Sequence, residues 1–293
     1  AAFLSELDVA GVACNPRFPL LTADSLREEG VTVEVDTEDV IEDIRAVKHR
    51  EEVAEIREVQ AATESAMALA ENLIVDATVG DDGRLLQDGE SLTSERVRAR
   101  IERELLEWGV APEETIVACG TDSAVPHDRG SGQIGADEPI ILDIFPRSKD
   151  SHYHADMTRT FLKGTPDPRI RDFHETTREA KAAGIAAVEP GATGADVHDA
   201  VCEVYEDAGY PTLRTDETTE TGFLHSTGHG VGLDVHEQPR IASDGGELEP
   251  GHVLMVEPGL YDPSVGGVRI EDLVLVTEEG AENLTSYHES LVV

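Results

Sequence analysis

Apolar residues recur every three or four positions across residues 51–74, at Val53, Ile56, Val59, Ala66, Leu69 and Leu73. That spacing predicts one long amphipathic helix. A second helix is expected over 94–108, with Thr93 as its N-cap and Gly109 just beyond its end. A third covers 168–188 and is closed by Pro190-Gly191; a fourth spans 194–208, between Thr193 and Gly209. Short apolar runs predict strands. Residues 139–144 (PIILDI) and 156–162 (DMTRTFL) flank a polar, turn-like stretch and should form a hairpin. Residues 253–256 and 267–276 (GVRIEDLVLV) repeat the arrangement across a Pro- and Gly-rich turn, PGLYDPSVGG. Two helices and a hairpin thus come twice, a pseudo-twofold layout with no obvious sequence repeat. The expected fold is α+β: a curved, mostly antiparallel sheet with helices on one face, over 46–293. Ahead of it, 9–13 and 31–35 read as strands around a helix at 23–29. This α/β piece, 1–45, is too small for a core of its own. Residues 36–50 read as a charged linker into the long helix.

The hairpins carry acids where strands want apolar side chains. Asp143, Glu257 and Glu271 sit inside otherwise apolar strands, and Asp156 opens the partner of the first. The two Asp are 13 positions apart and the two Glu 14. A buried carboxylate needs a metal, a partner or a proton. Surface acids are common in this chain, but that does not account for acids within buried runs. Same-facing side chains on adjacent strands stand about 5 Å apart, within reach of two metals about 3.5–4 Å apart. The stretch 222–239 adds His225, His229 and His236, the middle one between glycines. Glycine there lets backbone and ligand approach closely. One imidazole and four carboxylates can hold a pair of divalent metals.

These segments together resemble the metallopeptidases with the pita-bread fold, which include methionine aminopeptidase, prolidase and aminopeptidase P. The resemblance rests on Val125-Pro126-His127, on 141–164 with Asp156-Met157-Thr158-Arg159-Thr160, on 225–239, on VEPGLY at 256–261 and on GGVRIED at 266–272. It runs from about residue 46 to the C-terminus in the family's order. It implies Asp143, Asp156, His229, Glu257 and Glu271 as ligands of two divalent metals, with Asp156 and Glu271 bridging. It implies His127, His225 and His236 at the substrate site. Thr158-Arg159-Thr160 and the His-Ser-x-Gly-His-Gly form at His225 are similar to the prolidase and aminopeptidase P branch. His236-Glu237-Gln238-Pro239-Arg240 resembles the archaeal prolidase pattern, with Arg240 for the substrate's carboxylate. The implied activity is hydrolysis of the Xaa-Pro peptide bond in small peptides, as Xaa-Pro dipeptidase or aminopeptidase P. The front piece 1–45 looks like the last part of the extra N-terminal domain of these enzymes; since the chain begins with Ala, the front of that domain is expected to be missing. One departure stands out: after Asp143, Phe145-Pro146-Arg147 replaces the Gly of the family's Asp-x-Gly, and the loop is about two residues longer, which leaves the ligands in place. That leaves the exact shape of the substrate pocket open.

Within this reading Glu257 is the proton carrier. His236 and His127 are the hydrogen-bond donors to the developing oxyanion, and His225 ranks below His236. Arg159 and Arg269, beside the bridging ligands, are at least as well explained as charge partners of buried acids as by a catalytic role. His49, His152, His154, His174, His198, His252 and His288 lie in no motif and read as surface or structural. The oxygen-rich, thiolate-free donor set suits Mn, with Co, Fe or Zn as alternatives. Two other readings use the same fold: a metal-free creatinase-like hydrolase and a non-enzymatic binding module. Both would be free to lose the ligand set, which here is complete.

Charge changes the setting. Asp plus Glu number 61 against 23 Lys plus Arg, a net charge of −38, and only Lys48, Lys149, Lys163 and Lys181 are lysines. Acids spread along the whole chain with so few lysines point to a halophile's cytoplasmic protein. They argue against nucleic acid or anionic membrane as partners. Cys14, Cys119 and Cys202 show no paired spacing and read as small buried residues of a reducing compartment. No run approaches the length of a membrane span. A homodimer is expected.

Overall fold

The computed structural model describes residues 2–37 and 40–293. The chain divides into two compact units, Ala1–Arg45 and Ala46–Val293. In the first, strands Gly11–Cys14 and Thr32–Val35 pair in parallel, and helix Leu20–Glu28 connects them. Ala23 and Val31 are buried there, while Leu20 and Leu21 are 71% and 81% exposed. The helix starts three residues earlier than the expected 23–29. The expected linker over 36–50 instead contains helix Val40–Ala46; Glu38 and Asp39 lie outside the described residues.

In the second unit the four expected helices are Arg50–Asp76, Ser94–Glu107, Pro168–Ala187 and Gly194–Asp207. Their ends obey local chemistry. Thr93 and Thr193 accept from the backbone N–H three residues on, and Asp167 caps the third helix ahead of Pro168. The first two helices pack together, and so do the last two. Val59, Ala66, Met67, Val97 and Ile101 from the first pair bury against Ile140, Leu142 and Ile144 of strand Ile140–Ile144. Val197 of the fourth helix and Val188, just past the end of the third, bury against Leu254 and Val256 of strand Val253–Val256, with Val274 and Val276 beside them.

Strand parity then decides where the acids point. Ile140, Leu142 and Ile144 face the helices, so Asp143 faces the other way, with Ile141, Ile116 and Tyr261 clustered on that side. Ile140–Ile144 is the centre of a three-stranded sheet, between Met157–Phe161 and Ile116–Cys119, both antiparallel to it. A second sheet has five strands, with Gly228–Gly230 and Asp272–Thr277 flanking Val253–Val256.

The second hairpin departs from expectation at two places. The run 267–276 is not one strand: it breaks at Ile270 and Glu271 into Gly266–Arg269 and Asp272–Thr277. Opposite it, the presumed turn PGLYDPSVGG contains strand Gly259–Asp262, and only 263–265 turn. The pairs Val256↔Asp272 and Gly259↔Arg269 belong to one register, which sets Glu257 across from Glu271 at the break. Neither residue's N–H bonds across that gap: Glu257 donates to Thr227 and Glu271 to Thr158. The three cysteines are free. Cys202 is buried, but Cys14 and Cys119 are only half-buried, contrary to the expectation that all three are core residues.

Candidate metal centre

Asp143 lies opposite Thr158 in the first hairpin, so Asp143 and Asp156 stand diagonally on one face. Glu257 and Glu271 come from the break in the second hairpin. The two meet where Thr158 Oγ1 donates to Glu271 Oε2 at 2.8 Å and Thr160 Oγ1 to the Arg269 carbonyl at 2.9 Å. His229 arrives on the short strand Gly228–Gly230. Its flanking glycines are required by space. A Cβ on Gly228 would lie 1.9 Å from the Met255 carbonyl oxygen, and one on Gly230 2.0 Å from that of Gln238.

Ligand atoms of Asp156, His229 and Glu271 all lie within 4.8 Å of one another. His229 Nε2 is 3.6 Å from Glu257 Oε1 and 4.0 Å from Asp156 Oδ2. Asp143 Oδ1 and Asp156 Oδ1 are buried with no hydrogen-bond partner among the described residues. Orphaned buried carboxylate oxygens are costly, and converging carboxylates with one imidazole fit divalent cations. The protonation of these groups says the same. Burial, then the charge of Asp143, pushes Glu271 up to about 8. Burial and neighbouring carboxylates hold Asp156 and Glu257 well above the usual range. Burial, then His236, lowers His229 to about 3, so its ring is neutral and able to ligate.

The remaining expected residues fall into two groups. His236 stands against His229, ring centroids 4.2 Å apart and nearly perpendicular. Burial, then His127, lowers its pKa, while Asp143 opposes the shift. His127 is exposed and near enough to both His225 and His236 to act on their charge. Arg240 lies opposite His229 in the ladder, exposed, with Asp244 3.5 Å away.

His225 is spoken for. Its Nδ1 is 2.7 Å from the Ser226 carbonyl and its Nε2 2.9 Å from the Tyr261 hydroxyl. A carbonyl only accepts, so Nδ1 carries the proton and Nε2 accepts from Tyr261. Arg269 in turn donates to the Tyr261 hydroxyl at 3.0 Å, to the Pro126 carbonyl at 2.9 Å and to Asp143 Oδ2 at 2.7 Å. Arg159 is 2% exposed; it donates to the Glu271 carbonyl at 2.7 Å and pairs with Asp272 at 2.8 Å. Both arginines therefore brace the acid-bearing backbone and side chains from behind. Thr158 and Tyr261 were read in the sequence only as parts of motifs, not as residues that hold the site. Thr158 could have been found, since it follows Asp156 by two positions on a strand and must share its face.

The profile of Metallopeptidase family M24 matches residues 54–278. The chain belongs to metallopeptidase family M24. As a member of that family it is a metal-dependent peptidase with the pita-bread fold. The Xaa-Pro dipeptidase of Pyrococcus furiosus is 34% identical over 260 residues, 87% of this chain and 67% of the relative. The prolidase structure from Pyrococcus furiosus superposes with a TM-score of 0.82 at 30% identity, covering 98% of this chain and 80% of the other. The X-Pro aminopeptidase structure from Thermotoga maritima gives 0.84 at 26% identity, covering 100% and 78%. The two superpositions are equally good, so overall shape does not divide this M24 chain between dipeptidase and aminopeptidase.

Proposed function

We propose that this protein hydrolyses the peptide bond before proline, as a dinuclear metallo-exopeptidase acting on small peptides with proline second. The observation that carries the proposal is the convergence of Asp156, His229 and Glu271, with an oxygen of Asp156 and one of Asp143 left without a hydrogen-bond partner. Asp143, Asp156, His229, Glu257 and Glu271 would hold two divalent ions, manganese first and Co, Fe or Zn as alternatives. Such a pair, when bound, supplies Lewis acidity that makes water a nucleophile near neutral pH.

The chain's own side chains supply the rest. Glu257 takes the proton of the attacking water and passes it to the leaving nitrogen. His236 is a neutral ring at neutral pH, and its N–H, with that of His127, donates to the developing oxyanion. Arg240 receives the C-terminal carboxylate of a dipeptide. His225, Arg159 and Arg269 act through the groups they hold. The complete donor set counts against a creatinase-like hydrolase or a binding module on this fold. The same reading takes the enzyme as a homodimer of a halophile's cytoplasm. The charge of −38 supports the salt requirement and the expectation of no nucleic-acid or anionic-membrane partner.

The test is a panel of Xaa-Pro dipeptides, longer Xaa-Pro peptides and Met-led peptides, incubated with Mn in molar salt. Xaa-Pro dipeptides should be cut fastest and Met-led peptides least. Preference for the Met-led class would overturn the assignment.

A further inference from the structure

Lys48 and Glu237 form an ion pair at 2.6 Å with side chains only 1% and 5% exposed. No role in the reaction described above uses it. Lys48 is fixed at one end: its N–H donates to the Gly251 carbonyl at 2.9 Å, and Val47 bridges to His252. Glu237 directly follows His236 and begins strand Glu237–Ile241, where it pairs with Gly230 beside the bulge that follows His229. The loop between the two histidines wraps the pair closely. A Cβ on Gly232 would lie 2.0 Å from Glu237 Oε1 and 3.0 Å from Lys48 Cε.

His236 itself is exposed. Its ring packs on His229, and no hydrogen bond between that ring and another described residue fixes its direction. Its place is therefore set by its backbone, held on one side where the His229 ring bonds the Val235 backbone and on the other by the buried Glu237 carboxylate. A buried pair of this kind is expensive to assemble and strongly resists the loss of one partner.

We propose that Lys48 and Glu237 are positioning residues that hold His236 over the metal centre, so that Lys48, far away in sequence, acts on catalysis through His236. This rests on the reading of His236 given above. Displacing a catalytic group by about 1 Å costs on the order of 10²-fold.

The experiment is a double-mutant cycle of Lys48→Met and His236→Ala on an Xaa-Pro dipeptide, well below the melting temperature. Lys48→Met should lower kcat about 10–100-fold, leave KM within about threefold, and leave metal content unchanged; Lys48→Arg should recover part of the loss. The double variant should be no slower than His236→Ala alone, since groups acting as one are non-additive. Additive losses, or a lowered melting temperature with normal kcat, would make the pair merely structural. If Lys48→Met does not fold, the variant Lys48→Met with Glu237→Gln removes both charges and takes its place. NMR of the histidine rings gives a second readout. The His236 ring signals should move in Lys48→Met while those of His225 stay. Wild-type protein inactive on every peptide would sink the Xaa-Pro reading; the ring shift would then decide the positioning role alone, and an unmoved His236 would refute it.

Discussion

Glu257 is assigned two duties at one carboxyl group, holding a metal and carrying a proton. Glu257→Gln should therefore abolish turnover, whereas His236→Ala should keep both metals and lose about 10²–10³-fold in kcat, as loss of one oxyanion donor does. Arg240→Ala should act differently, raising KM for dipeptides and sparing longer peptides; equal losses on both classes would make Arg240 structural. Steady-state kinetics on the two classes, with metal analysis, separates these outcomes. At this scale the acids were legible because an acid inside a buried strand contradicts the pattern around it. Asp143 in PIILDI and Glu271 in GVRIEDLVLV need no structure to be noticed. Arg159 and Arg269 were legible as charge partners of buried acids, but which acid each meets was not. Arg269 meets Asp143 across 126 positions and Lys48 meets Glu237 across 189, and no local pattern encodes such pairs.

Helices were the easiest elements to read, because periodicity and caps coincide: each of the four expected in the larger unit ends within two residues of its predicted bounds. The second hairpin was harder. Composition made PGLYDPSVGG a turn, yet tertiary pairing with Gly266–Arg269 draws Gly259–Asp262 into a strand. The break at Ile270 and Glu271 has no local signature, since it exists to turn Glu271 toward Thr158. Behind it, Lys181 of helix Pro168–Ala187 pairs with Asp272 and with Glu289 of the C-terminal segment. Burial alone would raise Glu289, but Lys181, Arg178 and Arg159 hold it down to about 2 from an ordinary 4.5. Its folded pKa is thus depressed. The stabilisation is present above about pH 4.5 and fades as pH falls toward about 2. Glu289→Gln should cost stability at neutral pH and flatten that acid limb. Urea unfolding between pH 2.5 and 6 would show it, and an unchanged pH profile would remove the pair from the fold's support.

For the whole molecule the governing quantity is a charge of −38 on 293 residues. Self-repulsion of that size opposes the compact state unless salt screens it. Circular dichroism across a KCl series should show loss of structure well below molar salt and recovery when KCl returns. A fold unchanged down to about 0.1 M, where the Debye length is about 10 Å, would contradict salt adaptation. The pseudo-twofold layout was legible at this scale, because two helices and an acid-bearing hairpin come twice. The meeting of the hairpins through Thr158 and Thr160 was not, because it depends on how two separate sheets are juxtaposed.

The most direct test of the account is a titration of manganese into chelated protein in molar KCl, with the initial rate on an Xaa-Pro dipeptide as the readout. The proposed pair of metals predicts no hydrolysis at the start and a rise that breaks at about two equivalents per chain. Turnover by the metal-free protein, or a rate that never rises with metal, would contradict it.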